Sequence, residues 1–463
     1  MTRWTPDPSF YPSPKLAMEA PEESLAYVAL LEPDQQSRPD AMGVVDLERG
    51  SDTYGQIVST VELAAPGDEL HHFGWNACSA ALCPSAPRPH VERRYLVVPG
   101  LKSSRVYVLD VKDDPRSPKI VKTIEADELT AKTGYSRPHT SHCGPDAIYM
   151  SGLGGANGAD EAGGLFRLDC ETFEPLGAWE HEAGAQRYQY DFWWNLNEGT
   201  LVSSEWATPA MFEGGVVPEK LLGREYGHAM HVWDLRSGKH VQQLDVGDEH
   251  QMVLELRPAH DPRKQYGFVG VVVSVEDLSA SVWHWYLEDG EWKIRKAITI
   301  PAEPAEAELL PPLLQGFGAV PPLVTDINLS LDDRYLYVSC WGTGDFLQYD
   351  VSDPFDPKLT GKVRLGGIAS RAEHPASGPL KGGPQMVEVS RDGKRVYVSN
   401  SLYSTWDTQF YPDGLDGWIA KLDVENGGMK LDPEFLTTDF DGRLPHQIRL
   451  EGGDASSDSY CFS

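Results

Sequence analysis

The stretch Arg137-Pro-His-Thr-Ser-His-Cys-Gly-Pro-Asp146 brings His139, His142 and Cys143 together between prolines. Imidazole nitrogen and thiolate sulfur are ligands for transition metals, and imidazole also moves protons near neutral pH. Two further stretches carry the same chemistry: His71-His72-Phe-Gly-Trp-Asn-Ala-Cys78 and Pro445-His446-Gln-Ile-Arg449. All three lie far apart in the chain, so only a closed fold can bring them to one place.

Side chains alternate along a regular strand, so His139 and His142 face opposite sides, as do His71 and His72. A metal shared within either pair requires a bend, which Pro138 and Gly144-Pro145 can supply beside His139 and His142. Without a bend, one histidine of each pair faces the site and the other packs or supports it. His228 and His231 are spaced like a zinc pair but enter a Val-Trp-Asp strand and read as structural. His90, His181, His240, His250, His284 and His374 read as surface or loop residues, and His260 as a turn residue within reach of a channel mouth. Cys143, beside His142, is a candidate activated thiol or soft-metal ligand, whereas Cys170 and Cys340 read as buried thiols. Cys78 and Cys83 are too widely spaced for a redox or zinc Cys-x-x-Cys. Walker loops, nucleophile elbows and dinucleotide fingerprints are absent from the sequence.

The elements that must position these residues are short apolar runs bounded by turn chemistry, and long amphipathic helical periods are scarce. Tyr335-Leu-Tyr-Val-Ser339 and Val396-Tyr-Val-Ser399 each follow a similar turn, Ser330-Leu-Asp-Asp-Arg334 and Ser390-Arg-Asp-Gly-Lys394. A second recurring piece is a strand that ends in aspartate and then turns. It occurs as Gly43-Val-Val-Asp46, Val106-Tyr-Val-Leu-Asp110, Leu165-Phe-Arg-Leu-Asp169, His231-Val-Trp-Asp234, Phe346-Leu-Gln-Tyr-Asp350 and Trp418-Ile-Ala-Lys-Leu-Asp423. Val282-Trp-His-Trp-Tyr286 is a degenerate copy.

Intervals of roughly 50–75 residues hold four strands and a loop, so the expected fold is an all-β, seven-bladed β-propeller. One propeller domain is expected to span 1–463, with an N-terminal extension at 1–22 and inter-blade excursions at 301–322 and 371–384. Two tandem sandwiches, the other all-β layout, would show no common phase between the halves.

The repeat also places polar residues. His139, Asp191, Glu255, Asp326, Gln385 and His446 each stand a few residues before a turn, at the start of the preceding strand. In a propeller that innermost strand lines the central channel. These residues are therefore expected to form a ring at one level, with His, Asp, Glu and Gln supplying N and O ligands.

A formal charge of −30 argues against nucleic acid and anionic membranes as partners. The N-terminal residues lack a secretory pattern, no run is long and apolar enough to span a bilayer, and six cysteines are too few for a disulfide framework. A soluble, cytoplasmic, reducing setting is the expectation.

The chain resembles the selenium-binding protein family, which includes methanethiol oxidases. The resemblance rests on His71-His-Phe-Gly-Trp-Asn76, His139-Thr-Ser-His-Cys143, Tyr190-Asp-Phe-Trp193, Ser203-Ser-Glu-Trp206, Leu329-Ser-Leu-Asp-Asp-Arg334, Gly382-Gly-Pro-Gln-Met386 and Gln409-Phe-Tyr-Pro412. It runs from about Pro14 to the C-terminus. It implies a copper-binding propeller that oxidises methanethiol with O2 and water to formaldehyde, hydrogen sulfide and hydrogen peroxide. His71, His72, His139, His142, His260 and His446 match family motifs. Of these, His71, His72, His139, His142 and His446 are the expected copper ligands, with Asp191 or Glu255 as general base.

Two departures stand out. The cysteine implicated in selenium binding in animal members aligns with Gly55, and their Cys-Ser-Ser-Cys is replaced by Cys78-Ser-Ala-Ala-Leu-Cys83. Small thiols and O2 are thus the expected partners. The competing expectation is a non-catalytic scaffold that binds metal, selenium or thiols.

Overall fold

The recurring strand picked out by its aspartate turn is the third strand of its blade. In the computed structural model, which describes residues 5–463 apart from Ser85, these strands are Ala41–Asp46, Val106–Asp110, Ala162–Leu168, Ala229–Asp234, Ala280–Glu288, Asp345–Asp350 and Ile419–Glu425. The aspartates recur because they hold turns. Asp46, Asp110, Asp169 and Asp350 each accept a hydrogen bond from the backbone N–H two residues on, at 2.9–3.0 Å.

Each third strand belongs to a four-stranded antiparallel sheet, and seven such sheets form the ring of a seven-bladed β-propeller. The innermost strands of blades two to seven are Gly74–Trp75, Tyr135–Cys143, Phe192–Asn195, His250–Pro258, Val324–Leu329 and Val387–Val389. Blade one takes its innermost strand, Leu444–Leu450, from the far end of the chain, paired antiparallel with Leu25–Leu31. That pairing closes the ring and carries His446 to the neighbourhood of His71.

Strand alternation packs the blades against each other. In blade two, Leu96, Val98, Tyr107 and Leu109 face blade one, while Val97, Val106 and Val108 face blade three. Both faces are therefore buried, and the strands read as continuous apolar runs. Each fully buried Leu or Val contributes roughly 1.5–3 kcal/mol.

Antiparallel topology sends the connections from second to third strands to the end where the innermost strands begin. Those connections hold three short helices, Pro209–Phe212, Pro218–Leu222 and Ser404–Phe410, which form an apolar cap with Tyr190, Trp206, Trp341 and Tyr403. The indole of Trp406 fixes the cap by donating to the Phe212 carbonyl at 2.9 Å. The Pro-rich segments carry two small hairpins, Glu303–Pro304 with Ala319–Val320 and Glu373–His374 with Gly378–Pro379.

The C-terminal residues close the other end. Asp458 pairs with Arg93 at 2.5 Å and with Arg391, and Trp194 donates to Ser459 Oγ at 2.7 Å. A disulfide joins Cys83 to Cys461 with a Cα separation of 5.6 Å. The cysteine spacing gave no sign of that bridge.

Of the 1–22 extension, residues 1–4 lie outside the described residues. The remainder packs on the ring through buried Phe10 and through Asp7, which accepts from the Arg93 N–H at 3.1 Å. Among the described residues no helix is long and apolar enough to cross a membrane.

Candidate metal and thiol site

Four histidines from three blades meet beneath the cap. His71 and His72 precede Gly74–Trp75 in a segment without strand pairing, so the alternation of a regular strand does not separate them, and both rings reach the same place. His139 leaves Tyr135–Cys143 at a register shift between Pro138 and Ser141, just after Arg137 at φ 55°. His446 comes from the closing strand. Ring centroids are 4.0 Å apart for His71 and His446, 4.1 Å for His72 and His139, 5.6 Å for His71 and His139, and 5.8 Å for His72 and His446.

Burial sets the protonation of all four. It lowers His71, His72 and His139 well below the ordinary 6.5, with neighbouring histidines adding to the effect, and it takes His446 to about 3. The rings are neutral at physiological pH. His446 Nδ1–H donates to the Ser401 carbonyl at 2.7 Å, which leaves Nε2 as the lone-pair nitrogen. Thr140 Oγ1 lies 3.1 Å from His139 Nδ1 and 3.4 Å from His72 Nδ1. By accepting from both, its two lone pairs would free both Nε2 atoms. Among the described residues none of the four Nε2 atoms has a hydrogen-bond partner.

Buried polar nitrogens without partners are costly, and four in one place suit a ligand set for a soft or borderline metal. No three His, Cys, Asp or Glu side chains among the described residues are already arranged around one point as ligands. The rings stand as two tilted pairs and would have to rearrange to share one ion. With that adjustment the donor chemistry fits copper.

The space beside the rings is small and apolar. Tyr190, Trp206, Met252, Leu254, Val272, Leu323, Trp341 and Trp406 line it with His71, His139 and His446, leaving about 20 Å³ for the centre of a water-sized sphere. Such a space takes a molecule of a few heavy atoms.

Of the polar residues expected in a ring, Asp191, Glu255 and Asp326 are engaged by one arginine. Arg257 binds Glu255 at 3.1 Å, Asp326 at 3.2 Å and Asp191 at 3.4 Å. Asp191 is also held by the backbone N–H groups of Phe192 and Leu256, at 2.8 and 2.9 Å. Glu255 differs, because among the described residues its Oε1 has no hydrogen-bond partner, and it lies 3.4 Å from His72 Nε2. Burial, then the Asp191 charge, pushes the Glu255 carboxyl up to about 8.

Two expected site residues stand elsewhere. His142 is three residues further along the strand, roughly 10 Å down the channel at strand rise. There its ring packs 3.7 Å from Trp193, and Nε2 is 3.7 Å from Asp191 Oδ1. Cys143 faces Cys78, Arg93 and the Ser457 carbonyl near the C-terminal plug, and burial and Cys78 push its thiol well above the ordinary 9.0. It is an inert thiol there, far from the imidazole cluster.

His260 is also apart, donating to the Leu329 carbonyl at 3.0 Å. The expectation of surface positions fails for His250, His284 and His374, all buried. His284 packs among Phe268, Tyr286 and Phe355, aromatic neighbours contributed by separate strands and a loop. His231 is structural as expected, tied to Glu205 and His240 at 2.9 Å each. Sequence reasoning missed Thr140, Tyr190 and Glu69, the last 3.9 Å from His71 Nε2. Their positions inside the His-Thr-Ser-His, Tyr-Asp-Phe-Trp and Glu69-Leu-His71 stretches were the available signal.

Comparison with known proteins settles the family. Residues 4–461 match the model of the 56kDa selenium binding protein family, SBP56. This chain belongs to that family. It is 40% identical to a methanethiol oxidase of Xenopus laevis and 39% identical to selenium-binding protein 2 of Mus musculus, with 97% of each chain covered in both cases. An X-ray structure of a hypothetical selenium-binding protein from Sulfolobus tokodaii superposes with a TM-score of 0.96 at 57% identity, over 99% of this chain and 100% of that one. A 6-phosphogluconolactonase-like protein of Bacteroides uniformis, with a TM-score of 0.52 at 10% identity over 93% of this chain and 100% of that one, shares the propeller fold alone.

Gly55, which the resemblance aligns with the selenium-linked cysteine of animal members, sits in a turn that suits glycine. Gly55 has φ 73°, and a Cβ there would meet Phe435 at 3.3 Å. A cysteine would be strained at that turn.

Proposed function

We propose that this protein oxidises methanethiol, or a thiol of similar size, with O2 and water to formaldehyde, hydrogen sulfide and hydrogen peroxide. The observation that carries the reading is the group of four buried, neutral imidazoles with free Nε2 atoms beside a small apolar cavity. Relatives named methanethiol oxidase, matched over nearly the whole chain, support it.

His71, His72, His139 and His446 would hold copper. When bound, copper supplies one-electron redox chemistry between a soft sulfur ligand and O2. The protein's own groups do the rest. Apolar walls exclude water and leave room for little more than a methyl group and a sulfur atom. Glu255 Oε1, beside His72, is placed to take the proton that a thiol gives up on binding; with its carboxyl raised to about 8, the ionised fraction that can accept it grows as pH rises from 7 to 8. Asp191 and Asp326 hold Arg257, which in turn orients Glu255.

The test is anaerobic copper loading followed by O2 uptake with methanethiol and larger thiols. Stoichiometric peroxide and sulfide from methanethiol are expected. If every thiol gives neither product, the oxidase reading is wrong and the non-catalytic scaffold stands.

A further inference from the structure

A second cavity lies outside the one at the histidines, and the two meet at one wall. The outer cavity has about 60 Å³ for the centre of a water-sized sphere and is lined by apolar side chains alone. Met252, Val272, Leu323 and Trp406 line both cavities. At the outer rim Leu222 and Phe317 stand 56% and 49% exposed, so an apolar surface leads inward from solvent.

The dividing wall has an unusual backbone. Met252 has φ 66° and Leu323 φ 54°, and Leu278 in the outer cavity has φ 61°. Side chains without a hydrogen-bonding reason seldom adopt the left-handed region, and such residues persist where the surroundings over-determine them. At the wall that conformation aims two long apolar side chains into the space between the cavities. The contents of a route follow from its lining. An ion or a thiolate would lose its hydration with nothing in return, whereas a neutral alkyl thiol or O2 loses little.

We propose that the outer cavity is the entry path of the neutral thiol, and that Met252 and Leu323 form the gate that sets how large an alkyl group reaches the histidines. The assignment to thiols rests on the oxidase reading above; the path itself does not. Neither residue belongs to the imidazole cluster, so both are expected to act first on entry and selection. One methylene in an apolar pocket discriminates by about 10-fold or more.

Three variants and two readouts test the gate. Leu323→Gly removes the side chain and suits the local φ, Met252→Ala widens the opening, and Leu323→Trp blocks it. In the copper-loaded protein, kcat/KM is measured for methanethiol, ethanethiol and 1-propanethiol. Leu323→Gly and Met252→Ala are expected to shift the 1-propanethiol to methanethiol ratio by about 10-fold towards the larger thiol. Leu323→Trp is expected to lower kcat/KM for all three while copper content holds. Ratios unchanged within about twofold in both widened variants would overturn the gate.

The second readout is independent of activity. Crystals under xenon pressure should show the gas in both cavities of the unmodified protein, and in the outer cavity alone for Leu323→Trp. Xenon in the inner cavity of Leu323→Trp at full occupancy, or in neither cavity of the unmodified protein, refutes the path. Should no thiol be oxidised at all while xenon behaves as expected, the oxidase reading fails and the path stands as a route for small apolar molecules.

Discussion

His72 Nε2 and Glu255 Oε1 face each other at 3.4 Å, and among the described residues neither has a hydrogen-bond partner. The other Glu255 oxygen is tied to Arg257, so the carboxylate has one oxygen for structure and one for the site. Glu255→Gln keeps the shape and the Arg257 contact but removes the base. Copper content should be unchanged, while kcat/KM for methanethiol falls by about 100-fold or more. Side-by-side metal analysis and O2 uptake check this, and a variant of full activity would remove Glu255 from the mechanism.

The histidines divide by position. His139→Ala and His446→Ala each remove an Nε2 from the cluster, and copper affinity should fall by at least about 100-fold, since even outer-shell changes at metal sites cost 10–100-fold. His142→Ala removes a ring packed on Trp193. It should leave copper per chain unchanged and instead lower stability by about 2–4 kcal/mol. Copper titration and urea denaturation on all three variants separate the two roles. Lost copper in His142→Ala with the fold intact would bring that residue back to the site.

The sequence revealed the propeller because the aspartate turns are local. Asp46, Asp110, Asp169 and Asp350 bond their own backbone two residues on, so each copy reads the same wherever it lies in the ring. The three histidine stretches were legible for a related reason, since repeat phase places His139 and His446 on innermost strands. Depth and partners were hidden. That His142 sits below His139 follows from strand rise, but its packing on Trp193 depends on the next blade. Arg257 draws Asp191 and Asp326 out of the ligand set, a pairing across three blades that no spacing records. The cap is likewise built from segments near 210 and 405, which meet only when the ring closes.

The pH dependence of stability follows from two sets of buried groups of opposite sign. Burial raises Glu255 and Glu388 to about 8, and Glu69, Asp40 and Asp407 to about 7. A raised folded-state value gives stability that is complete below the unfolded value and is lost as pH rises through the folded one. Each such proton is worth about 1.4 kcal/mol per pH unit. The cluster histidines lie below 6.5, His446 at about 3, so their contribution is complete above 6.5 and is lost as pH falls. Between about 4.5 and 6.5 the two slopes oppose each other; above that window only the carboxyls act, and below it chiefly the histidines. Metal-free protein should therefore be most stable near weakly acidic pH and weaken through pH 7–8. Glu388→Gln should flatten that alkaline loss by one proton's worth. Urea midpoints between about pH 4 and 9 report this, and a midpoint still rising at the alkaline end contradicts the assignment.

The bridge between Cys83 and Cys461 closes a loop of sequence separation 378 and pins the C-terminal plug beside Arg93 and Asp458. Constraint of the unfolded chain by so long a loop stabilises by at most about 5 kcal/mol, and 2–4 kcal/mol is typical. Cys461→Ser, or reduction with a strong dithiol, should lower the unfolding temperature. Because the plug and the imidazole cluster lie at opposite ends of the channel, copper content and thiol oxidation at 25 °C should be retained. Thiol counting on the denatured, unreduced chain should give four free groups, and all six after reduction. Six free groups before reduction would mean that the bridge does not form, and the salt bridges of Asp458 to Arg93 and Arg391 would then hold the plug without it.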